Sequence, residues 1–411
     1  MNVIQVPRRF AAQEWGGTET VVLETSKRLL ARGHQTAVFC PNALADTDEE
    51  TLGGIPVRRF TYFYPYIGLS REAKKQFDKK GGNLFSFQLM RALKQHPGLD
   101  LIHLHTAKRV GGIVRYVARQ RKIPYVVSIH GGLFDVPEEE SETYTAPAKG
   151  AWEWGKILGL WTGSRRVMDD AAAILCVGLR EQRIMQEHYP HQNVLFLPNG
   201  VDPERFAHGD RARFRRIHGI PEEAFVVLTV GRIDPQKNQM LAIRLFPRLR
   251  ELVPTLHLVL VGPATNEHYA QQIRDRIQQN SWTGHITLIP GLSSGDLVDA
   301  YHAADLFLLP SIHEPFGIVI LEAWASRLPV LASRVGGIPS FVAEGEDALL
   351  FDPEEPDDVI RQCQRAAASP ELRNALREKG NQKAIRSYSW DRITDELIGI
   401  YQTAIENNRK K

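Results

Sequence analysis

The chain has 411 residues, which is long for a single hydrophobic core and favours two domains. Its composition is 43% hydrophobic and 24% charged with a formal net charge of +3, which excludes a disordered or fibrous chain. No apolar run approaches the ~20 residues that span a bilayer. The first residues lack a signal-peptide layout, so we expect a cytoplasmic protein. Residues 1–200 hold 26 Lys and Arg against 20 Asp and Glu, which favours anionic partners but not nucleic acid.

Strands and helices alternate through the first half of the chain. A short apolar strand at Asn2–Val6 is followed by a Gly16-Gly17 loop and a helix that ends near Arg32. A Trp-rich helix is predicted near Trp152–Met168. Further strands are predicted at QTAVFCP, LDLIHLH, PYVVSIHGG, AAILCVG and NVLFLPNG. These near-continuous apolar runs are typical of a parallel sheet that is covered on both faces.

The same alternation restarts after the turn at Pro198–Gly200. Strands are predicted there at AFVVLTVGR, HLVLVGP, HITLIPG, DLFLLPS and PVLASRVGG. The fold class is therefore α/β, with two Rossmann-like, doubly wound domains at residues 1–198 and 203–387. Open α/β sheets bind ligands at the carboxyl ends of their strands, so we expect the site in a central cleft that the two domains face.

Two glutamates flank the predicted start of a helix near Gly317. Glu314 and Glu322 are eight positions apart, about 12 Å along a helix axis. The free N–H groups of Phe316, Gly317 and Ile318 lie between them and form a natural anion site. A nucleoside diphosphate sugar has the matching order of hexose hydroxyls, diphosphate and ribose diol. Taken alone, Glu322 is better explained as part of a solvated helix face, and only its neighbours favour ligand binding.

The stretch GRIDPQKN places two cations after a strand of the same predicted domain. Arg232 and Lys237 follow Gly231 at the end of that strand. Two fixed cations can neutralise the charge that grows on a diphosphate leaving group without a metal ion. Either residue alone would more simply be a surface cation, but their position beside the glutamate pair favours phosphate binding.

The first domain carries weaker signals. Gly16-Gly17 lets the backbone approach a phosphate or sugar closely, although a plain turn fits the pattern as well. His130 ends a strand and either contacts a sugar or serves as a turn residue. His103 and His105 share one strand face, but no further ligand follows at metal-binding spacing, so we predict no metal site. We interpret Asp46–Asp48 as solvated turn residues rather than as a metal-binding Asp-x-Asp.

Because the nucleotide would occupy the second domain, a molecule that receives the sugar, the acceptor, is expected to bind the first domain. The candidate loops are Arg8–Gly17, Thr61–Phe87 and Phe134–Gly150. The second of these loops holds the basic cluster Lys74, Lys75, Lys79 and Lys80. This cluster either docks on an anionic membrane surface and presents a lipid-linked acceptor, or is a solvated helix face. The tryptophans Trp152, Trp154 and Trp161 either line an acceptor or lipid face or pack in the core.

Three stretches, GRIDPQKN, EPFGIVILEAWASRLPVLASRVGGIP and PNGVDPERF, together resemble the family 4 (group 1) retaining glycosyltransferases of the GT-B fold. The resemblance covers nearly the whole chain. It implies transfer of a hexose or N-acetylhexosamine from a UDP- or GDP-linked donor to a hydroxyl of a glycan or lipid-linked acceptor. It also implies retention of anomeric configuration, no metal ion or cofactor, and a role in polysaccharide or glycolipid biosynthesis. The enzyme would be cytoplasmic or peripheral on the inner face of the membrane.

The resemblance also implies residue roles. The catalytic group would be His130, Glu314, Arg232 and Lys237. The donor-binding group would be Gly16, Gly17, Gly231, Arg232, Lys237, Pro290, Gly291, Glu314, Phe316, Gly317, Ile318 and Glu322. The last helix, at 388–411, would cross back onto the first domain. Ser340 departs from the family, which often has a glutamate there.

Two other functions remain open from the sequence. A sugar-nucleotide epimerase of the same fold would interconvert nucleotide sugars without an acceptor. A non-catalytic nucleotide-sugar-binding protein would be expected to lose Glu314 or one of the cations, and this chain keeps all three. A dinucleotide-dependent dehydrogenase is disfavoured, because no Gly-x-Gly-x-x-Gly stretch follows a strand.

Overall fold

The computed structural model describes residues 1–11, 15–131 and 150–410. The chain divides into two compact units, one formed by residues 1–199 with 390–411 and the other by residues 200–389. These limits fall within a few residues of the expected domain boundaries. Most of the predicted acceptor loop Phe134–Gly150 lies outside the described residues, as does the side chain of Lys80.

Unit 1 is built on a mainly parallel sheet. The strands of this sheet are β1 (Asn2–Val6), β2 (Gln35–Pro41), β3 (Glu49–Leu52), β4 (Ile55–Phe60), β6 (Leu101–Leu104), β7 (Tyr125–Ile129), β9 (Ala173–Cys176) and β10 (Val194–Phe196). Two further strands, β5 (Tyr66–Ile67) and β8 (Trp152–Glu153), pair with each other outside the sheet. The order across the sheet is β10–β9–β7–β6–β1–β2–β4–β3, with β3 antiparallel to β4. Strands β6, β7 and β9 are buried along their whole length, as their apolar runs predicted.

The helices of unit 1 begin at recognisable signals. They are α1 (Gly17–Ala31), α2 (Arg71–Lys80), α3 (Phe87–Gln95), α4 (Lys108–Arg121), α5 (Lys156–Thr162) and α6 (Leu179–His188). The Ser70 hydroxyl accepts a hydrogen bond from the Ala73 N–H at 3.0 Å, which fixes the start of α2. Ser86 does the same for α3 through the Leu89 N–H.

The prediction of a single Trp-rich helix over Trp152–Met168 is wrong. Trp152 lies in β8, α5 begins only at Lys156, and a separate 3-10 turn follows at Ser164–Arg166. Gly163 separates the two helical pieces in a left-handed conformation, with φ of 66°. A β-carbon on Gly155 would lie 2.2 Å from the Pro65 ring and 2.3 Å from the Arg109 guanidinium, so two side chains pack against the backbone where the chain enters α5.

Unit 2 is built on an all-parallel sheet. Its strands are β11 (Phe225–Val230), β12 (Leu256–Val261), β13 (Ile286–Ile289), β14 (Leu306–Leu309), β15 (Val330–Ser333) and β16 (Leu349–Phe351). Its helices are α7 (Arg211–Ile217), α8 (Gln239–Leu252), α9 (Glu267–Gln279), α10 (Ser294–Ala303), α11 (Ile318–Ala325), α12 (Pro356–Ala368) and α13 (Pro370–Tyr388). The sequence analysis missed β3, β4 and β16, which are short strands at or near a sheet edge, and the two-residue strands β5 and β8.

The strand order of unit 2 reverses between β11 and β14. The order is β13–β12–β11–β14–β15–β16, so the chain first proceeds outward from β11 and then returns to its other side. A crevice opens at such a switch point, beside the carboxyl ends of the two central strands. The loops that leave β11 and β14 carry Arg232, Lys237 and Glu314.

The last helix, α14 (Trp390–Arg409), belongs to unit 1. Its side chains Trp390, Leu397 and Tyr401 are buried in one core cluster with Val3 and Leu29. Arg28 of α1 and Arg32, the residue that follows α1, form ion pairs with the carboxylate of Asp391 at 3.2 and 3.0 Å. None of the described helices has the length and apolar character needed to cross a membrane.

We predict that Leu397→Ala lowers the free energy of unfolding of unit 1 by about 2–5 kcal/mol, because it leaves a cavity where α14 meets the sheet. Urea unfolding measures the loss. Leu252→Ala, which shortens a half-exposed leucine of unit 2, is the matched control and should cost much less. Equal losses in the two variants would contradict the packing described for α14.

Candidate functional site

The loop after β11 is shaped by a close approach of two backbones. Gly262, which follows β12, has φ of 148°, and a β-carbon on it would lie 2.0 Å from the carbonyl oxygen of Gly231. The Asp234 carboxylate then accepts hydrogen bonds from the Lys237 N–H at 3.1 Å and the Thr265 hydroxyl at 3.0 Å. These contacts fix the turn that presents the Lys237 side chain.

The loop after β14 is tied to the loop after β11. The Ile312 N–H donates to the Gln236 carbonyl at 2.9 Å, and the Gln236 amide donates to the His313 carbonyl at 3.1 Å. The Ser333 hydroxyl also donates to the Ser311 carbonyl at 2.7 Å. The two loops at the switch point are therefore held together by reciprocal hydrogen bonds.

An ion pair between Lys237 Nζ and Glu314 Oε2 joins these loops. The Glu314 residue is only 6% exposed, and the Ser311 hydroxyl donates to the same carboxylate oxygen at 3.3 Å. Removal of one partner from a buried pair leaves an uncompensated charge, which typically costs about 3–5 kcal/mol. The pair therefore holds a cation and an acid in a fixed place at the carboxyl ends of β11 and β14.

Arg232 remains accessible beside this pair. Its side chain is half exposed, with one guanidinium nitrogen 3.2 Å from the Gln236 amide oxygen and 3.5 Å from the Asp234 carboxylate. Because these contacts occupy one edge of the guanidinium, its other N–H groups are available to an anionic ligand.

Two glycines after β15 lie in close contact with the backbone of the loop that carries Glu314. A β-carbon on Gly336 would lie 2.1 Å from the Glu314 carbonyl oxygen, and one on Gly337 would lie 2.0 Å from the Pro315 carbonyl oxygen. The Gly337 N–H donates to the Glu314 carbonyl at 2.9 Å. The Gly-Gly pair after β15 is thus required by a close contact with the loop that carries the glutamate.

Ser340, where the family often has an acid, lies in the 3-10 turn that follows, and its hydroxyl donates to the Gly337 carbonyl at 2.5 Å.

Helix α11 begins immediately after this loop. Gly317 precedes it with φ of 92°, and no side chain caps the first turn. The Phe316 ring is buried and stacks on Phe341 with centroids 4.7 Å apart, so only the backbone of Phe316 can meet a ligand. The first N–H groups of a helix have no intrahelical partner and carry partial positive charge. The predicted anion site at Phe316, Gly317 and Ile318 therefore coincides with a real helix start.

Glu322 lies on α11 and is held by a buried tyrosine. The Tyr301 hydroxyl of α10 donates to Glu322 Oε2 at 2.7 Å. Burial raises the pKa of Glu322, and the hydrogen bond from Tyr301 opposes that shift. Glu322 is partly buried and fixed, so its surroundings differ from the solvated helix face that the sequence left open. Pro290 and Gly291 follow β13 and are exposed.

In unit 1 the Gly16 N–H is already engaged. It donates to the Glu19 carboxylate at 3.0 Å, which caps the first turn of α1, and Arg9 lies 3.4 Å from the same side chain. Gly17 is the first residue of the helix. Arg8 donates to the carbonyls of Asp78 and Gly82 at the end of α2. Of the predicted loop Arg8–Gly17, both arginines therefore have structural partners.

The predicted site residue His130 belongs to a chain of buried polar groups. Its Nε2 lies 3.0 Å from His105 Nδ1, and His105 Nε2 lies 2.8 Å from the side-chain amide oxygen of Gln5. The Gln5 amide nitrogen lies 3.4 Å from the Tyr401 hydroxyl, which in turn is 2.6 Å from His103 Nδ1. The chain of contacts runs from α14 through β1 and β6 to the end of β7.

These contacts fix the tautomers of the imidazoles. Because the Gln5 oxygen can only accept, His105 donates from Nε2 and accepts at Nδ1, and His130 then donates from Nε2. His130 Nδ1 is left as an acceptor, and it has no hydrogen-bond partner among the described residues. His130 Nδ1 is therefore a buried acceptor with an unused lone pair, which suits a hydroxyl donor.

Burial keeps all three histidines neutral. It lowers the pKa of His103 to about 3 and that of His130 to about 4, and it places the pKa of His105 well below the ordinary value. The described residues contain no group of three His, Cys, Asp or Glu side chains arranged to hold a metal ion. The paired imidazoles on β6 thus take part in a hydrogen-bond network.

Sequence reasoning missed several supporting residues. Ser311 stands three positions before Glu314, so its proximity could have been noticed. Tyr301 and Gln5 carry no local signal, because each meets its partner only through strand and helix packing.

Comparison with known proteins agrees with the topology. Residues 15–205 match the model described as Glycosyltransferase Family 4, and residues 210–383 match that of Glycosyl transferases group 1. A D-inositol 3-phosphate glycosyltransferase of Actinosynnema mirum is 30% identical over 95% of this chain and 92% of its own length. One from Geodermatophilus obscurus is 29% identical over 98% of this chain and 90% of its own.

Among solved structures, Anabaena HepE in complex with UDP-glucose superposes with a TM-score of 0.73 at 18% identity, covering 98% of this chain and all of that one. The fold is GT-B, as the sequence predicted. The chain belongs to the group 1 glycosyltransferases of family 4.

We predict that the protein loses stability as the pH falls from about 6.5 towards 4. Because the buried histidines have lowered pKa values, the unfolded chain binds protons first in this range. His105→Gln keeps an amide that can donate and accept but cannot ionise there. The melting temperature should therefore fall less steeply with pH in His105→Gln than in the wild-type protein.

His191→Gln, which replaces an exposed histidine of the same unit, is the matched control and should keep the wild-type slope. The interpretation of the buried network would be wrong if His105→Gln and His191→Gln followed the same pH dependence.

Proposed function

We propose that this glycosyltransferase moves a hexose or N-acetylhexosamine from a nucleoside diphosphate sugar to an acceptor hydroxyl, with retention and without a metal ion. The observation that carries the proposal is the cluster of Arg232, Lys237 and Glu314 at the switch point of unit 2. It places two cations and one acid beside an uncapped helix start.

The diphosphate would bind to the cations and to the start of α11. Arg232 and Lys237 supply charge-assisted hydrogen bonds, and the N–H groups of Phe316, Gly317 and Ile318 supply further donors. Lys237 is paired with Glu314 in the structure, so a phosphate would have to take over Lys237 as its counter-ion. The released Glu314 would then accept hydrogen bonds from hydroxyls of the hexose.

The remaining donor contacts that we propose follow the roles that the family resemblance implies. Tyr301 orients Glu322 through one carboxylate oxygen, which leaves the other free to accept from the ribose diol. The exposed backbone at Pro290 and Gly291 would meet the base. In unit 1, Gly17 would approach the diphosphate, and His130 would accept a hydrogen bond at Nδ1 from a sugar hydroxyl.

The comparisons suggest where to look for donor and acceptor. HepE was solved with UDP-glucose, which favours a uridine donor as the first choice. The relatives are named for D-inositol 3-phosphate, a polyol whose phosphate suits the basic balance of residues 1–200. A glycan or lipid-linked hydroxyl is the other acceptor class that we propose.

The transfer step needs no protein base. The acceptor oxygen forms a bond to the anomeric carbon on the face from which the diphosphate leaves, and the bond from that carbon to the phosphate oxygen breaks. The proton of the acceptor hydroxyl passes to the departing phosphate oxygen. Arg232 and Lys237 stabilise the negative charge that develops on the diphosphate. Glu314 holds the sugar and takes no proton.

We predict nucleotide release from one class within a panel of UDP-, GDP- and ADP-sugars, in the presence of a chelator and of D-inositol 3-phosphate or a glycan acceptor. A coupled nucleotide assay measures it. Loss of activity on chelation would contradict metal independence. Conversion of the donor sugar without any acceptor product would indicate the epimerase instead.

We predict that Glu314→Gln lowers turnover by about 10²–10³-fold, because an amide accepts more weakly from a sugar hydroxyl in the transition state. Its melting temperature should also fall, because the neutral amide leaves the charge of Lys237 without its counter-ion, so turnover is measured at a temperature at which both proteins are folded. Glu344→Gln, which neutralises a half-exposed acid paired with Arg334, is the control and should retain turnover. Near-normal turnover of Glu314→Gln would remove Glu314 from the site.

A further inference from the structure

One region of unit 1 exposes an unusual amount of apolar surface. Of the eleven large apolar side chains exposed among the described residues, six lie together in this region, each between 48% and 72% exposed. We call them the apolar face, formed by Ile67, Phe87, Trp152, Ile157, Leu160 and Trp161. Clustered apolar exposure of this kind marks an interaction surface, whereas isolated exposed residues do not.

The contacts beneath the apolar face show that it is continuous. Ile67 and Trp152 are direct cross-strand partners in the β5–β8 pair. Phe63 stacks between Phe87 and Trp154, with centroid distances of 5.8 and 5.9 Å. The Phe87 and Trp161 rings are 6.4 Å apart. The β5–β8 pair, α3 and α5 therefore present one surface.

Helix α5 contributes a complete apolar stripe. Ile157, Leu160 and Trp161 stand at i, i+3 and i+4, so they project from the same side of the helix. The opposite side carries Leu158 and Thr162, which are buried in unit 1. A helix that is apolar on both its buried and its exposed side lacks the polar surface of a solvated helix.

Among the described residues, the helices that border the apolar face carry a positive net charge. Helices α2, α3 and α5 carry exposed cations that form no ion pair with another described residue, namely Arg71, Lys74, Lys75, Arg91, Lys94 and Lys156. On these three helices Glu72 is the exposed acid, and the other acid, Asp78, is buried and accepts from Tyr62 and Tyr64. Cations beside apolar and aromatic side chains match the interfacial layer of an anionic bilayer.

We propose that the apolar face inserts into the interface of an anionic lipid bilayer, with the cations of α2, α3 and α5 against the headgroups. Tryptophan favours this depth because its ring is apolar and its N–H is polar. A second copy of the chain is a poorer occupant, since a symmetric pair would bring the same cations towards each other. The docking itself does not depend on the proposed function. Only the further idea, that docking would present a lipid-linked acceptor to the enzyme, rests on it.

The test is co-sedimentation of the full chain with vesicles of phosphatidylcholine alone and of phosphatidylcholine with phosphatidylglycerol. We expect binding to the anionic vesicles, weakened but not abolished by high salt, because both charge and apolar insertion contribute. Ile157→Ser combined with Leu160→Ser should lower the partition coefficient about tenfold or more. Lys74→Gln combined with Lys75→Gln should lower it and reduce its salt dependence.

The matched control is Leu252→Ser combined with Ile385→Ser, which removes two exposed apolar side chains from unit 2 and should bind like the wild-type protein. The proposal is overturned by absence of binding to anionic vesicles, or by equal binding of the Ile157/Leu160 and control variants. It is also overturned if the wild-type chain is a dimer that Ile157→Ser with Leu160→Ser converts to a monomer. Vesicle binding requires neither donor nor acceptor, so its failure would leave the proposed transfer reaction untouched.

Discussion

The ion pair between Lys237 and Glu314 is the contact on which the candidate site depends. It lies at the point where the strand order of unit 2 reverses, and each residue comes from the loop of a different central strand. Because the pair is buried, neither charge can be left alone without a large cost in free energy. A ligand that brings both an anion and a set of hydroxyls can replace both partners at once. A diphosphate sugar has this composition, whereas a simple anion would leave the Glu314 carboxylate without a partner.

At their predicted site residues, the two units hold buried polar groups in different ways. Unit 2 holds opposite charges in contact and supports them with hydroxyl and amide donors. Unit 1 holds neutral imidazoles, whose pKa values are lowered by burial, in a chain of hydrogen bonds that ends at His130. The first arrangement suits the charge of a diphosphate, and the second suits the hydroxyls of a neutral sugar.

The sequence predicted the parts of the fold that local pattern determines. Continuous apolar runs located the central strands. The topological rule for parallel sheets then placed Arg232, Lys237 and Glu314 beside the carboxyl ends of those strands. Pattern failed for Trp152–Met168, where apolar residues face both the core and solvent, so helical periodicity does not mark one buried side. Sequence pattern also failed to predict the contacts of Tyr301 with Glu322 and of His103 with Tyr401. His103 and Tyr401 are 298 positions apart and meet only through packing. The direct Lys237–Glu314 pair was not anticipated either, because the sequence assigned each residue to the ligand and not to the other.

The central claim is that a diphosphate displaces Glu314 from Lys237. Calorimetric titration of UDP into the wild-type protein, Lys237→Met and Glu314→Gln tests it most directly. The account predicts that Lys237→Met weakens UDP binding about tenfold or more, as expected for loss of a charge-assisted contact. It also predicts that Glu314→Gln binds UDP at least as tightly as the wild-type protein, because Lys237 no longer has a charged competitor. Unchanged UDP affinity in Lys237→Met would contradict it.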